Sequence, residues 1–538
     1  MAFLRSQQGW ATFICAGAIL VLTSTAVTVA GCGNSSSSAS GPKVLTYSEQ
    51  SDPAAIDPAL ASESVGDNID RYLFEGLVRY DPSTGEAKPA LARSWDVNAD
   101  ATVFTFHLKP GTKFSDGQEV TANDFVYAWT RALSPATASS MAQEVLGPIK
   151  GASDLAAGKT DKLAGVEAVD KDTLKVTLAS PMAEFPASLG HPVCSPVPKS
   201  EVERKDVKYS DLPVGNGPFV IKEWVHNDHI TLVKNPDYEG EAPKLDKVVM
   251  KVIPDPTTAV SELKAGNVDI VKGVDPGQTQ ALRNDSSVHF FQGRSFMVKF
   301  VGFDVTKPPF DNAKLRQAIG LLIDRNTIAS KVLQGQSYPA DGFIPTSVFG
   351  YQGGVMPDYN PAQAKALLSE AGYPGGKGLP ALTLTYPGVP QAADVAQAIQ
   401  SSLKSAGIDC QIKSMEQGAF ENAMQAGQLS MFMIGWQEDW PGLDNFLQLF
   451  DSQNIGSTDI FNYQNPQVDQ LIDQARSTTD TTQRNKAYND AQRLVIADMP
   501  AIPVVFGQDV LVYAPRVTNF VYTPLGDLAL DQISVSNS

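Results

Sequence analysis

Strand and helix patterns alternate along almost the entire chain, and this alternation restricts the folds that it can adopt. At residues 104–108 and 174–178, apolar side chains alternate with polar ones, which predicts strands with one buried face. Helix patterns fall between such strands. A chain with this order of elements is expected to form sheets covered by helices, so the sequence predicts the α/β class.

Local signals mark where several of the helices begin and end. Thr121 followed by Asp124 is typical of a helix start in which the two residues cap the first turn. Asn360 and Pro361 predict another helix start, and Gly372 predicts the end of that helix. The same signals, with apolar residues at helical spacing, predict further helices near residues 311–328, 391–406 and 483–497.

The length of the chain indicates more than one domain. The sequence has 538 residues, which is too long for a single hydrophobic core and favours two or three domains. A hydrophobic content of 43% with 19% charged residues is typical of a globular chain. Because no fixed-period repeat and no long linker separates the segments, we expect the domains to be interwoven.

The formal net charge of −17 argues against two kinds of partner. Surfaces that bind nucleic acid are normally basic, so we expect no nucleic-acid partner. Attraction to anionic lipid also depends on basic residues. Any attachment to a membrane should therefore come from a lipid chain and not from the charge of the protein.

The N-terminus has the features of an export signal. An apolar run at residues 11–22 is too short to span a membrane comfortably, and the small residues 29–31 after it suit a cleavage site. The four residues that end at Cys32 resemble the lipobox of bacterial lipoproteins. We therefore expect residues 1–31 to be a lipoprotein signal peptide, Cys32 to be lipidated, and the Ser-rich residues 32–41 to form a tether.

Two cysteines, Cys194 and Cys410, remain after the signal peptide. An exported protein is free to form a disulfide between them, but two unpaired buried thiols fit the sequence equally well. There is no CxxC motif and no zinc-like cluster, so we expect neither a metal nor a cofactor.

Ordered sequence blocks indicate a family. The most specific is residues 89–129, PALARSWDVNADATVFTFHLKPGTKFSDGQEVTANDFVYAW. This block resembles the signature of the family 5 solute-binding proteins of bacterial ABC importers. Further blocks that are similar to this family, in the same order, are residues 212–219, 234–238, 310–325, 359–374 and 435–441.

Two segments are similar to the oligopeptide-binding members of that family in particular. They are QSYPADGFIP at residues 336–345 and the stretch at residues 124–139, which contains DFVYAW and SPATAS. The resemblance thus implies a lipid-anchored extracytoplasmic receptor that captures oligopeptides and delivers them to an ABC permease and its ATPase. It would act as a monomer on the outer face of the cytoplasmic membrane or in the periplasm.

The resemblance also implies a fold and a domain arrangement. Members of this family have a periplasmic-binding-protein type II-like fold with two lobes, a hinge and an extra domain. The three interwoven domains expected here have the following boundaries: domain I at residues 42–62, 190–290 and 505–538, domain II at residues 63–189, and domain III at residues 291–504.

The block at residues 435–441 supplies the main candidate for the binding site. The family places an amine-binding aspartate three residues after a tryptophan, which implies that role for Asp439 here. Trp436 and Trp440 flank it, and their rings would lower local solvation and strengthen an ion pair with a peptide ammonium. From composition alone, an acidic surface loop with two packing tryptophans is the alternative.

Two further segments are candidates for ligand contact. Tyr127 matches a cavity-facing tyrosine of oligopeptide-binding relatives, although a helix residue packed in the core fits equally well. Glu49, with the two residues after it, lies where relatives add hydrogen bonds to the peptide backbone, as in strand addition. The sequence assigns no basic partner for the peptide carboxylate.

Three rival functions have to be weighed. An exported hydrolase is disfavoured because GxSxG, HExxH and Walker motifs are absent from the sequence, and because the adjacent acids Glu438 and Asp439 would not normally face one cavity. The pair His226 and His229 is interpreted as part of a hairpin turn and not as a metal site. A binding protein for a dipeptide, a nickel chelate or an oligosaccharide, or a sensory receptor, stays open.

Overall fold

A mixed β-sheet runs through the middle of the fold. The computed structural model describes residues 41–61, 63–82, 84–389, 391–438 and 440–536. In these residues the strands are β1 (Val44–Glu49), β2 (Val78–Tyr80), β3 (Ala87–Pro89), β4 (Ala92–Val97), β5 (Val103–Leu108), β6 (Val166–Asp170), β7 (Thr173–Thr177), β8 (Phe219–Val225), β9 (His229–Lys234), β10 (Lys247–Val252), β11 (Ile270–Lys272), β12 (His289–Phe303), β13 (Ser337–Pro339), β14 (Leu382–Pro387), β15 (Cys410–Met415), β16 (Met431–Gln437), β17 (Ala501–Tyr513), β18 (Val517–Thr518) and β19 (Ser534–Val535).

Helices cover the sheets. Within the described residues they are α1 (Ser64–Leu73), α2 (Ala122–Leu133), α3 (Ala142–Leu146), α4 (Ala152–Ala156), α5 (Phe185–Ser188), α6 (Lys199–Val202), α7 (Pro256–Lys264), α8 (Thr279–Arg283), α9 (Ala313–Leu322), α10 (Arg325–Thr327), α11 (Pro361–Glu370), α12 (Ala392–Ser405), α13 (Gln417–Gln425), α14 (Leu443–Leu447), α15 (Pro466–Ser477) and α16 (Thr481–Asp498). None of the helices in this part of the chain is long and apolar enough to cross a bilayer.

The large sheet has the strand order β15-β14-β16-β12-β17-β11-β1-β10-β9-β8, with β13 paired to β17. Parallel pairs, such as β1 with β10 and β14 with β15, occur on both sides of the antiparallel centre. A separate four-stranded sheet has the order β4-β5-β7-β6. This mixed arrangement of strands and covering helices confirms the predicted α/β class.

The buried apolar side chains form two large cores. The first core contains residues between 45 and 270 together with Trp440 and residues from the C-terminal stretch 511–535. The second core contains residues between 296 and 506. We call the parts of the fold built around them the first lobe and the second lobe. A smaller third core lies at residues 259–288 and includes two residues of β17.

Two long strands connect the lobes. β12 and β17 pair antiparallel from His289 and Tyr513 at one end to Gly302 and Ala501 at the other. One end of this pair adjoins the first and third cores, and the other end lies in the second core. The register shifts after Arg294, where a bulge bends the ladder between the lobes.

Most of the local predictions are confirmed, because they rest on capping and turn chemistry. The Asp124 carboxylate accepts hydrogen bonds from the Thr121 N–H at 2.7 Å and from its hydroxyl at 2.8 Å. The Asn360 side chain caps α11 through the Gln363 N–H at 3.1 Å. Strands β5 and β7 lie where alternation predicts them, and the predicted hairpin turn joins β8 to β9 after Val225.

One predicted helix is wrong as a continuous element. The segment 311–328 contains α9, an extended residue at Ile323, and then the short α10. The Asp324 side chain accepts the Thr327 N–H at 3.0 Å, so it starts a new helix instead of continuing the first. The helices predicted near residues 391–406 and 483–497 are confirmed as α12 and α16.

The cysteine alternatives are resolved in favour of free thiols. Cys194 belongs to the first core and Cys410 to the second, and both are buried and unpaired. The signal peptide, Cys32 and all but the end of the tether lie outside the described residues. The predicted domain boundaries stay a prediction, since buried residues from both predicted domains I and II belong to the first core.

Candidate functional site

A cavity of about 450 Å³ lies between the two lobes, beside the connecting strands. We call it the cleft cavity. Its walls come from both lobes and from β12 and β17, and most of the side chains on them are polar. They include Glu49, Gln50, Ser51, Asp67, Asn68, Arg71, His191, Lys272, Ser295, Gln336, Gln437, Glu438, Gln508, Asp509 and Tyr522.

Helix α1 places three polar side chains on the first-lobe wall. The Glu63 carboxylate accepts the Val65 N–H at 2.8 Å and so fixes the start of the helix. Asp67, Asn68 and Arg71 then all line the cleft cavity. Their spacing of one, three and four residues puts them on the same side of the helix, which explains why one element supplies both an acid and a base.

An ion pair lies where two parallel strands end together. Lys272 at the end of β11 contacts Glu49 at the end of β1, with 2.5 Å between Nζ and Oε1. Asp509 of β17 also lines the cavity here. Burial raises the pKa of the Asp509 carboxyl, and the nearby Lys272 ammonium opposes that rise. The single ammonium of Lys272 thus acts on two carboxyl groups.

His191 is a neutral member of the wall. Burial, reinforced by the charge of Arg71, lowers the pKa of its imidazole to about 3. Its Nδ1 accepts the Val193 N–H at 3.2 Å, so the tautomer carries its proton on Nε2. At neutral pH the positive charge at this end of the cavity therefore comes from Arg71.

A second, larger cavity of about 870 Å³ adjoins the first. We call it the aromatic cavity. It shares Arg71, Pro524 and Leu525 with the cleft cavity. Its wall carries the aromatic side chains Phe74, Tyr80, Phe219, Tyr238 and Phe296. The two chambers together offer space for a ligand with both a charged end and an apolar part.

The loop that carries the main candidate residues reaches this region. Asp439 itself lies outside the described residues, but Gln437 and Glu438 before it line the cleft cavity. Trp436 is half-buried, and its indole N–H donates to the Asn445 side-chain oxygen at 2.9 Å. Trp440 is only 3% exposed and packs in the first core.

The five predicted binding residues are placed differently by the fold. Glu49 lines the cleft cavity, as do Gln437 and Glu438 just before Asp439, whereas Trp436 and Trp440 are not part of the walls of either cavity. Tyr127 lies on α2 with its ring 5.6 Å from the Lys199 ammonium, away from the walls of both cavities. Burial and the neighbouring Glu203 raise the pKa of Tyr127 to about 12. The role of Tyr127 in binding stays a prediction without support from its position.

Sequence reasoning missed the basic groups of the site. Arg71 and Lys272 both line the cleft cavity, but neither lies in a sequence block that resembles the family. The acid-to-base spacing from Asp67 to Arg71 on a capped helix was the available signal. For Lys272 no comparable local signal exists, because its partners belong to other strands.

A two-lobed α/β fold with crossing strands and a polar cavity between its lobes defines a type II periplasmic-binding-protein-like receptor. Residues 86–458 match the family described as bacterial extracellular solute-binding proteins, family 5 Middle. The chain therefore belongs to the family 5 bacterial extracellular solute-binding proteins, and the predicted fold and family are confirmed.

Proteins of this family with similar sequences bind different solutes, as their names state. Heme-binding protein A of Haemophilus influenzae is 29% identical, with 96% of this chain and 99% of that protein covered. The oligopeptide-binding protein OppA of Bacillus subtilis is 30% identical, with 95% of this chain and 97% of that protein covered. The names of both relatives describe them as binding proteins.

Two solved structures represent different states of such receptors. The unliganded open form of MppA, a periplasmic murein tripeptide-binding protein, has a TM-score of 0.81 at 29% identity, covering 93% of this chain and 98% of that chain. OppA of Haemophilus influenzae in complex with the peptide RPPGFSPFR has a TM-score of 0.71 at 28% identity, covering 92% and 99%. This chain thus superposes more closely on the unliganded open MppA than on the peptide-bound OppA.

Proposed function

We propose that this protein is an extracytoplasmic receptor that captures oligopeptides between its two lobes and delivers them to an ABC permease. The observation that carries this proposal is the meeting of two segments at the cleft cavity. The end of β1, at Glu49 and the two residues after it, lines the same cavity as Gln437 and Glu438, the two residues before Asp439. In the first segment the main chain would bind peptide amides, and in the second an acid would bind the ammonium.

Capture would proceed by closure of the lobes about β12 and β17. A ligand shifts the balance between open and closed forms only by its differential affinity for them. A peptide that contacts both lobes binds the closed form more tightly than the open form, because in the open form it contacts the partners of one lobe only. Relatives of the same fold occur in an unliganded open form and in complex with a peptide, which supports this cycle.

The role of Asp439 is tested by calorimetry with the substitution Asp439→Asn. A hydrogen bond to a charged group contributes about 1.5–3 kcal/mol, so we expect peptide affinity to fall by about 10- to 100-fold. The matched control is Asp409→Asn, an exposed carboxylate of the second lobe. Equal affinities of the two variants would rule out Asp439 as the ammonium partner.

A bulky solute other than a peptide is the second candidate ligand. The aromatic wall of the larger cavity favours it, since aromatic surface suits large apolar groups more than peptide amides. Native mass spectrometry of the protein purified from its host distinguishes the candidates by the mass of the bound ligand. A series of peptide masses supports the peptide proposal, and one non-peptide mass supports the alternative.

We also propose that a lipid on Cys32 anchors the receptor at the membrane. An anchor keeps captured ligand beside the permease and raises its effective concentration there. Mass spectrometry of the mature N-terminus tests this: a diacylglyceryl group on a first residue Cys32 is expected, and an unmodified N-terminal peptide would contradict it. A binding assay with the cognate permease separates transport from a purely sensory role.

A further inference from the structure

The loop between β16 and α14 is attached to the opposite lobe. Although β16 and α14 belong to the second lobe, Trp440 packs in the first core. Next to it, Pro441 lies so close to the first-lobe Gly85 that a Cβ on this glycine would stand 3.1 Å from the Pro441 Cβ. Consecutive residues of one loop thus contact the first lobe.

A buried carboxylate of the first lobe completes this attachment. Glu184 is 8% exposed, and its Oε2 accepts the Asp444 N–H of α14 at 3.2 Å. Its other oxygen lies 3.4 Å from the Arg484 Nε of α16. The preceding Ala183 N–H donates to the Arg476 carbonyl oxygen of α15 at 2.7 Å. Two residues of the first lobe therefore hold three helices of the second.

The approach of Glu184 depends on a glycine at the end of the loop. A Cβ on Gly442 would lie 2.9 Å from the Glu184 Oε2, which is closer than such contacts occur. Behind the loop, Asp444 accepts the Arg476 Nε–H at 2.9 Å and the Tyr488 hydroxyl at 3.1 Å. The backbone of Asp444 therefore binds Glu184, and its side chain belongs to a buried network of charged groups that holds the end of the loop in place.

We propose that Glu184 is a positioning residue for the ligand-binding loop, holding the segment around Asp439 in its binding conformation before ligand arrives. The proposal rests on the proposed function, because it takes this loop to contact the ligand. At its start the loop is held by β12, because the Glu438 N–H donates to the Phe296 carbonyl oxygen at 3.1 Å. At its end the loop is held by Glu184, which accepts the Asp444 N–H.

The attachment should depend on pH. Burial, with a contribution from the nearby Asp444, raises the pKa of the Glu184 carboxyl to about 7, while Arg484 opposes the rise. The groups that face it are Asp444 on α14, Arg484 and Tyr488 on α16, and, through Asp444, Arg476 on α15. Release into water returns the carboxyl to its ordinary pKa. The Glu184 carboxyl thus binds its proton more tightly in the attached state than in the released state. The attachment is therefore strongest at pH values below the ordinary pKa of the carboxyl, and it weakens as pH rises through about 7.

Hydrogen exchange of the ligand-free protein tests the attachment directly. For residues 440–447 of the wild type, exchange corrected for its intrinsic pH dependence should be about tenfold faster at pH 8 than at pH 6. Glu184→Gln keeps an acceptor for the Asp444 N–H and should exchange at the same corrected rate at both values. Glu184→Ala should exchange faster at both, and the exposed control Glu167→Gln should behave as wild type.

A second variant covers the case in which Glu184→Ala fails to fold. Gly442→Ala pushes the carboxylate away without removing it, so it should speed exchange as Glu184→Ala does. Wild-type exchange in both variants, or an unchanged pH dependence in Glu184→Gln, would overturn the attachment. Peptide affinity tests the positioning role: Glu184→Ala should bind at least tenfold more weakly, with most of the affinity retained in Glu184→Gln. Faster exchange with unchanged affinity would overturn that role, whereas a wild type that binds no peptide would refute the proposed function and leave the exchange result standing.

Discussion

Removing the ammonium of Lys272, at the end of β11, tests how much its ion pair with Glu49 stabilises the fold at the cleft cavity. Lys272 is 12% exposed and Glu49 is 8% exposed, so both charges of this ion pair have lost most of their hydration. The substitution Lys272→Met keeps most of the side-chain volume and removes the charge. It leaves Glu49 without its partner and Asp509 without the charge that lowers the pKa of its carboxyl.

The expected magnitude follows from this burial. Breaking a buried ion pair by deleting one partner costs about 3–5 kcal/mol, because the other charge stays desolvated. Since the pair faces a cavity that admits water, we expect the lower end, about 3 kcal/mol of the free energy of unfolding at pH 8. The double variant Lys272→Met/Glu49→Gln removes both charges and should recover most of that loss.

Urea unfolding followed by circular dichroism measures these differences, with Lys222→Met as the control for an exposed lysine. The loss caused by Lys272→Met should shrink as the pH is lowered. The pKa of Asp509 is already raised by burial and rises further without Lys272, so the folded variant takes up a proton that the unfolded chain does not. A loss no larger than that of Lys222→Met, or one that grows at low pH, would refute the reasoning.

Two further predictions concern the buried groups away from the cavity. Arg476→Met leaves the buried carboxylates Asp444 and Asp451 without their shared cation and should lower the free energy of unfolding by about 3–5 kcal/mol in urea titrations; a loss below about 1 kcal/mol would contradict the network. Cys194 and Cys410 should be unreactive towards a thiol reagent at pH 8 in the native protein, because burial raises the pKa of each thiol. Both should react after unfolding without a reducing agent, and a requirement for prior reduction would show a disulfide.

Local chemistry explains which elements could be predicted from the sequence. The caps at Thr121 and Asn360 involve partners three residues away, so the residues that make the structure are visible together in the sequence. The same locality explains the failure at residues 311–328. There the apolar stripe continues, but the Asp324 side chain bonds to the backbone and begins a new helix. The competition between two local signals was decided by a hydrogen bond that periodicity does not reveal.

The sequence by itself determined the α/β class, several helix starts, and the resemblance to a family whose blocks occur in order. Only the tertiary structure decided which charged groups meet. Lys272 and Glu49 are separated by 223 residues and Asp444 and Glu184 by 260. Such pairs form because strands and loops from distant segments come together at the boundary of two cores. No spacing in the sequence encodes that meeting, since each partner is positioned by the packing of its own element.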